Sequence, residues 1–306
     1  ALIEIFGFFL FNLIIRNRYF ENGVVDWWSI ISGDLWSGEE HPDGISSFYR
    51  PLFLLTIGLD VFLFEFDPFY FHVHSLFWHL LCIVVFWKLL LQLNFSKEQS
   101  LLACAFFALH PINSEVAVWI SSRNDSIAGF FACCSLLSSL QNRTFAVFLF
   151  SLAAYFSKES TVLLPLWIFV CLLGKKSQLS SVWVSSLALI PWFCIRILLD
   201  IPTQIPDEHH TRLFLHTLPT TITHVTGSIL FPVELSAVRP LGWYNLNIFV
   251  GFGSILLIFV YFVSTQKKYF WLGIVSYFPV FLPIALNGIY GDRYLYIPLF
   301  WFSIWC

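Results

Sequence analysis

The sequence predicts an all-α polytopic membrane protein, and three observations lead to that prediction. Hydrophobic residues make up 58% of the 306 residues, charged residues make up only 11%, and the mean hydropathy is +0.76. A soluble domain is typically about half apolar and a quarter charged. The apolar residues also fall in long runs, and only helices or closed barrels satisfy every backbone group in lipid, so each run is interpreted as a helix.

About ten of these runs, each bounded by charged or turn residues, are interpreted as membrane spans. They are 1–15, 69–93, 99–112, 115–140, 144–157, 160–174, 180–199, 246–264, 269–287 and 294–306. Two further apolar pieces, 51–64 and 212–231, are ambiguous because the first is short and contains Asp60 and the second contains several polar residues.

The positions of the basic residues indicate whether the two ambiguous pieces cross the membrane. If neither piece crosses, one face of the membrane holds Lys88, Lys97, Arg143, Lys175, Lys176, Lys267 and Lys268. The positive-inside rule makes that face cytoplasmic. The sequence therefore predicts that 51–64 and 212–231 are interfacial or re-entrant helices on the outer side, within two large outer loops at 16–68 and 200–245.

Composition also argues against two classes of function. The net charge of −3 and the absence of a long basic run give no electrostatic footprint for nucleic acid. The seven cysteines lie in apolar stretches without ligand-like spacing, so they are interpreted as core residues and not as disulfides or a zinc site. In FHVHSLFWH, His72 and His74 point to different helix faces, so we expect no metal site there.

Polar residues gather in four short segments on the predicted outer side. They are SSFYRPL (46–52), ALHPINSEVAVWISSRND (108–125), FSKES (156–160) and GIYGDRYLYIP (288–298). Glu115, Trp119 and Ser122 recur at helical spacing, and His110-Pro111 is expected to end the preceding helix. Such charges cost free energy unless they are paired or hydrated. They either hold helices together as ion pairs, or they line a cleft where cations bind a phosphate and carboxylates take a proton.

Lys158 is the lysine that the topology does not explain, since the other six lie on the predicted cytoplasmic side. One interpretation is a lysine that extends to the interface and pairs with its neighbour Glu159 at a tight turn. The other is a cation that points into an outer cleft also reached by Arg293. Two like charges in a low dielectric would then be held together by an anion between them.

The order of these segments resembles a known family. The run YRPL, HPINSEVAVWISSRND, FSKES and GDRYLYIP is similar to the membrane half of polyprenyl-phosphate-sugar glycosyltransferases related to the transmembrane and tetratricopeptide-repeat O-mannosyltransferases, including bacterial relatives. The resemblance implies a GT-C fold over 1–306, a lipid-linked sugar donor, and inverting, cofactor-free and metal-independent transfer on the non-cytoplasmic face. Many relatives continue into helical repeats, which are not expected in this chain.

The resemblance also implies a site. In this hypothesis the donor phosphate meets Lys158 and Arg293, with Arg50 or Arg123 as further cations. The same segments supply the residues expected to line the site, which are Tyr49, His110, Glu115, Asp125, Glu159 and Tyr294.

The general base is the point at which the chain departs from the family. Members usually carry an Asp-Asp pair just after the first span, followed by an Ile and an Asn. Here Asn12 lies about where an acid is expected, although Ile15 and Asn17 match the Ile and the Asn of the family pattern. Either residues are missing from this stretch, or the base lies elsewhere, or activity is impaired. Asp26 and Asp34 remain candidates, although a solvated loop charge is the simpler interpretation of each.

The function expected from the sequence is transfer of a hexose such as mannose from a polyprenyl-phosphate donor to a hydroxyl of a protein or glycan acceptor. The expected location is a membrane, with the bacterial inner membrane favoured over the endoplasmic reticulum. A transporter of lipids or lipid-linked sugars is the alternative. It would require ionisable residues near the middle of the spans and internal repeats, whereas the charges here cluster at one face.

Overall fold

The computed structural model describes residues 14, 17–35, 48–173, 178–201, 222–224, 227–229, 232, 239–240, 251, 255 and 289–303. The predicted spans at 1–15, 246–264 and 269–287 lie almost entirely outside these ranges, as does most of 212–231 and of the outer loop 200–245.

The described residues are mostly helical, as the composition predicts. The α-helices are α1 Trp27–Ser32, α2 Pro51–Phe64, α3 Pro68–Gln92, α4 Lys97–Leu109, α5 Asn113–Val118, α6 Arg123–Leu140, α7 Thr144–Tyr155, α8 Leu164–Cys171, α9 Ser180–Leu187, α10 Leu189–Leu198 and α11 Tyr296–Ser303. Short 3₁₀ helices occur at Arg18–Gly23, Ile120–Ser122, Glu159–Leu163 and Asp292–Leu295. Arg239–Pro240 (β1) and Ile289–Tyr290 (β2) form a short antiparallel pair.

Local sequence signals explain where several helices begin. Proline stands at the first position of α2 and of α3, where its missing N–H costs no hydrogen bond. Asp67 caps α3 by accepting a 3.0 Å hydrogen bond from the backbone N–H of Phe69. Ser96 and Gln99 form a reciprocal capping box at the start of α4, and α4 ends just before His110-Pro111, as predicted.

The predicted span 115–140 is not one helix, and this corrects the sequence analysis. The backbone is extended at Trp119, with φ −79° and ψ 114°, and it separates α5 from the 3₁₀ turn that leads into α6. Glu115 and Ser122 therefore do not share a helix face. The chain therefore changes direction at Trp119, and we call this bend before α6 the Trp119 corner.

Two helices in the described part of the chain are long and apolar enough to cross a membrane. They are Pro68–Gln92 and the combined stretch Ser180–Leu198. Pro51–Phe64, Thr144–Tyr155 and Glu159–Cys171 are shorter apolar helices. The all-α class therefore agrees with the structure, whereas about ten spans remains an expectation.

Helix α6 organises the core, because it packs against both α3 and α7. Its 18 residues rise about 27 Å. At its far end, the Leu140 carbonyl accepts a 3.3 Å hydrogen bond from Gln178. Residues near 178 therefore lie a full helix length from Arg123, and we call these two ends of the bundle the Leu140 end and the Arg123 end.

The cysteines in the described residues carry free thiols. Cys82, Cys104, Cys133 and Cys171 are buried, as predicted for core residues, whereas Cys194 is exposed.

Candidate functional site

Lys158 lies in the turn between α7 and the 3₁₀ helix that leads into α8. Its backbone is extended, with φ −161° and ψ 136°, so the side chains of Lys158 and Glu159 leave the chain in different directions. The Lys158 side chain is buried and forms an ion pair with Asp125, near the start of α6. Lys158 is thus not paired with its neighbour Glu159.

Glu159 instead binds Arg50, which precedes α2. Its Oε2 accepts a hydrogen bond from Arg50 Nε at 2.9 Å and forms an ion pair with Arg50 Nη2 at 2.8 Å. Tyr49 fixes this segment, because its hydroxyl donates to the Ile31 carbonyl at 2.7 Å and its ring meets the edge of Phe156. The Tyr-Arg-Pro segment is therefore docked directly on the Ser-Lys-Glu turn.

Arg293 completes a third pair at the same end of the bundle. Its Nη1 donates to Glu115 Oε1 at 2.7 Å, and its guanidinium lies 4.7 Å from the Trp119 ring centroid. The Tyr294 ring has Lys158 Nζ 5.0 Å and the Arg293 guanidinium 5.2 Å from its centroid. Favourable cation–π contacts therefore connect Lys158 with Arg293.

We call these three ion pairs the three-pair cluster. It consists of Arg50–Glu159, Lys158–Asp125 and Arg293–Glu115. Each of the four polar segments of the sequence contributes at least one member. Residues that are far apart in the chain thus converge at the Arg123 end.

Electrostatics inside the cluster act most strongly on Lys158. Burial lowers the pKa of the Lys158 ammonium to about 8, Asp125 opposes that shift, and Arg50 and Arg293 add to it. Burial also disfavours the charged form of Tyr49, and it raises the pKa of that phenol to about 12. Asp125 and Glu115 already balance the charges of Lys158 and Arg293, so a bound anion is not required to explain why the two cations are close.

Arg123 does not join the cluster. Its guanidinium is fully buried, pairs with Asp60 Oδ2 at 2.6 Å, and donates to Ser75 Oγ at 3.0 Å and to the Phe71 carbonyl at 2.7 Å. These contacts direct it towards α2 and α3 and saturate it. Arg123 thus has its partners on α2 and α3, and its contact with a donor phosphate stays a prediction.

Both ring nitrogens of His110 form hydrogen bonds with the backbone. Its Nδ1 accepts from the backbone N–H of Ile112 at 3.3 Å, and its Nε2 therefore carries the proton that is donated to the Ile229 carbonyl at 2.6 Å. The ring is buried and ties the end of α4 to residues 227–229.

The two candidate bases in the first loop occupy different environments. Asp26 caps α1 by accepting from Ser29 N at 3.1 Å and Ser29 Oγ at 2.6 Å, and these hydrogen bonds lower the pKa of the exposed carboxyl. Asp34 is buried, and its carbonyl accepts from Tyr19 at 3.0 Å. A lowered pKa makes Asp26 a weaker proton acceptor than an unperturbed aspartate. Asn12 lies outside the described residues.

Arg196 is a neighbour of the cluster that the sequence analysis did not select as a site residue. It comes from α10, lies over the Trp192 ring at 5.0 Å, and interacts electrostatically with Glu159 and Tyr49. A buried arginine within an apolar helix was the available signal.

Histidines, cysteines and carboxylates do not gather into a metal-binding group of three or more within the described ranges. His72 contacts the Val118 carbonyl at 2.7 Å, and His79 contacts the Tyr296 hydroxyl at 2.8 Å. His72 and His79, which are seven residues apart and share a face of α3, therefore have different partners.

Comparison with known proteins gives sequence relatives of one kind. The chain is 29% identical over 126 residues to protein O-mannosyl-transferase TMTC1 of Homo sapiens. This aligned region covers 41% of this chain and 14% of TMTC1. It is 27% identical over 115 residues to TMTC3 of Mus musculus, with 38% and 12% covered. For the Caenorhabditis elegans protein O-mannosyl-transferase F38B6.6 the identity is 26% over 177 residues, with 55% and 25% covered.

The aligned region spans a quarter or less of the length of these relatives. No family model and no solved structure matches the chain. On the sequence motifs and these alignments together, the chain is related to the protein O-mannosyl-transferase family that includes TMTC1 and TMTC3.

Proposed function

We propose that this chain is an integral membrane glycosyltransferase of the GT-C type. It moves a hexose such as mannose from a polyprenyl-phosphate donor to a hydroxyl acceptor on the non-cytoplasmic face, with inversion and without a metal or other cofactor. The observation that supports the proposal best is the three-pair cluster. It gathers three cations, three carboxylates and two aromatic rings at one end of an apolar helix bundle, on the segments that resemble the family.

The cations supply the chemistry that a phosphate leaving group requires. The acceptor oxygen attacks the anomeric carbon, the bond from that carbon to the phosphate oxygen breaks, and a carboxylate takes the acceptor proton. Negative charge grows on the departing phosphate, so cations that are already fixed in place stabilise the transition state more than the ground state. Lys158 and Arg293 both contact the Tyr294 ring, and Arg50 is paired with Glu159, the neighbour of Lys158.

The names of the relatives support mannose as the sugar and a protein hydroxyl as the acceptor. Asp34 remains a candidate base in the first loop. The transporter alternative has no specific support from the described residues, because the charged pairs lie at one end of the bundle.

A transfer assay in proteoliposomes tests the proposal. Polyprenyl-phosphate mannose carrying a radiolabel is supplied with a serine- and threonine-rich acceptor peptide, and labelled peptide is counted. Lys158→Ala would leave Asp125 as a lone buried charge, and removing one partner of a buried pair costs about 3–5 kcal/mol. The double variant Lys158→Met with Asp125→Asn removes both charges, so it is expected to stay folded and to lose at least about 100-fold in transfer, the scale of removing one preorganised electrostatic contact.

Lys97→Ala is the matched control, because Lys97 is exposed at the start of α4, away from the cluster. It is expected to transfer mannose at the wild-type rate. Near-normal turnover by the folded double variant would overturn the role of Lys158. Movement of the labelled donor across the bilayer without any labelled peptide would favour the transporter.

A further inference from the structure

Two carboxylates of the three-pair cluster each use only one oxygen. Asp125 Oδ1 binds Lys158 and Glu159 Oε2 binds Arg50, whereas Asp125 Oδ2 and Glu159 Oε1 are buried and accept no hydrogen bond in the described part of the chain. Burying an acceptor without a donor costs free energy, and the three-pair cluster contains two such acceptors.

A third unpartnered polar atom belongs to Ser122, which lies near Asp125 in the chain. Ser122 Oγ is buried, and within the described ranges it has no hydrogen-bond partner. Ser122 directly precedes α6 and Asp125 lies in its first turn, three residues further on, so the two side chains share one face. Ser122 Oγ and Asp125 Oδ2 are therefore grouped at the start of α6, whereas Glu159 Oε1 lies on the side of Arg50.

The chemistry of these atoms selects the kind of ligand group. An ionised carboxylate only accepts hydrogen bonds, so its second oxygen requires a donor. Phosphate oxygens are themselves acceptors and cannot serve, whereas the hydroxyl groups of a sugar ring can donate. The cations of the same pairs have the opposite preference and suit the phosphate.

We propose that Asp125 Oδ2 and Glu159 Oε1 accept hydrogen bonds from hydroxyl groups of the donor sugar, next to the cations that meet its phosphate. The inference rests on the proposed function and assigns the sugar-recognising groups of that site. Glu159 and Arg50 are 21% and 13% exposed, so the ligand approaches from their side. Asp125 lies deeper, with its side chain 4% exposed.

Binding of two lipids that differ only in the sugar tests this inference. Wild-type protein in nanodiscs is titrated with polyprenyl phosphate and with polyprenyl-phosphate mannose, and the two dissociation constants are compared. The wild type is expected to bind the mannose lipid more tightly. Glu159→Gln keeps one oxygen for Arg50 but puts an amide donor near the sugar, so affinity for the mannose lipid should fall about 10- to 100-fold, the loss of one hydrogen bond to a charged group.

Affinity for polyprenyl phosphate should not fall in Glu159→Gln, because this change removes a negative charge beside Arg50. Asp125→Asn also removes the partner of Lys158, so it is expected to weaken binding of both lipids, with the larger loss for the mannose lipid, and thermal unfolding is measured to confirm that it is folded. Glu98→Gln, an exposed glutamate at the start of α4, serves as the control and should bind both lipids like the wild type.

The outcomes separate the two proposals. If the wild type binds neither lipid, the proposed function fails. If it binds both lipids equally, or if Glu159→Gln keeps the full preference for the mannose lipid, the inference about the sugar is overturned while the proposed function stands.

Discussion

Lys158 shows how one backbone conformation decides which charges meet. Lys158 is extended and Glu159 begins the 3₁₀ helix that follows, so Lys158 reaches Asp125 on α6 while Glu159 reaches Arg50 before α2. A turn in which Lys158 paired with Glu159 would have isolated both charges from the rest of the bundle. The observed arrangement instead connects three helices through one short turn.

The lowered pKa of Lys158 predicts a pH dependence of transfer. The ammonium loses its proton as the pH rises through about 8, below its usual pKa of 10.5, so transfer by the wild type should fall in that window. Lys158→Arg keeps its charge at higher pH, because arginine stays protonated. We expect its transfer rate, measured between pH 7 and 9.5, to lack that fall.

Stability should move in the opposite direction, which separates the pH effect from unfolding. Between about pH 8 and 10.5 the unfolded chain keeps the Lys158 proton and the folded chain does not, so the unfolded state binds more protons. The contribution of this group to the free energy of unfolding therefore rises with pH in that window. Wild type and Lys158→Arg losing transfer at the same pH would show that another group controls the profile.

The buried Arg123–Asp60 pair connects elements and is distinct from the site. Asp60 comes from α2 and Arg123 begins α6, and His74 of α3 adds a 2.5 Å contact to Asp60. Trp78 donates to His74 Nε2 at 3.0 Å, so His74 Nδ1 carries the proton given to Asp60. The network thus fixes the start of α6, which in turn positions Asp125.

Breaking this network should destabilise the protein strongly. Arg123→Met leaves Asp60 buried without its partner, a loss of about 3–5 kcal/mol in the free energy of unfolding. Adding Asp60→Leu removes the lone charge, so the double variant should be more stable than Arg123→Met alone. Thermal unfolding in detergent measures both, with exposed Arg143→Ala as the control. Strictly additive losses would contradict coupling between the two residues.

Helix boundaries were more predictable from the sequence than side-chain partners. The prolines at the starts of α2 and α3 and the capping box of α4 are local signals, and the 51–64 prediction matches α2 in full. Arg50 and Glu159 are 109 residues apart, so no local pattern could pair them. The interruption at Trp119 was missed because apolar and polar residues there also fit a helix.

At the scale of the whole molecule, charge is distributed between the two ends of the bundle. The three-pair cluster lies at the Arg123 end. Arg143 lies at the Leu140 end, where its backbone N–H donates to the Ser138 carbonyl at 2.9 Å. An 18-residue α6 rises about 27 Å, close to the roughly 30 Å of a hydrocarbon core, so the two ends can lie at opposite membrane surfaces.

Accessibility of single introduced thiols tests that orientation. Ser114 is exposed beside Glu115 at the Arg123 end, and Gln141 is exposed just after Leu140. A membrane-impermeant maleimide added to intact cells should label Ser114→Cys from the non-cytoplasmic side, because the positive-inside rule predicts that the Leu140 end is cytoplasmic. Gln141→Cys should react only after the membrane is permeabilised. The unsubstituted protein gives the background from its own thiols, of which Cys194 is exposed. Labelling of both variants in intact cells, or of Gln141→Cys alone, would mean that the cluster does not face the side where a lipid-linked donor is proposed to bind.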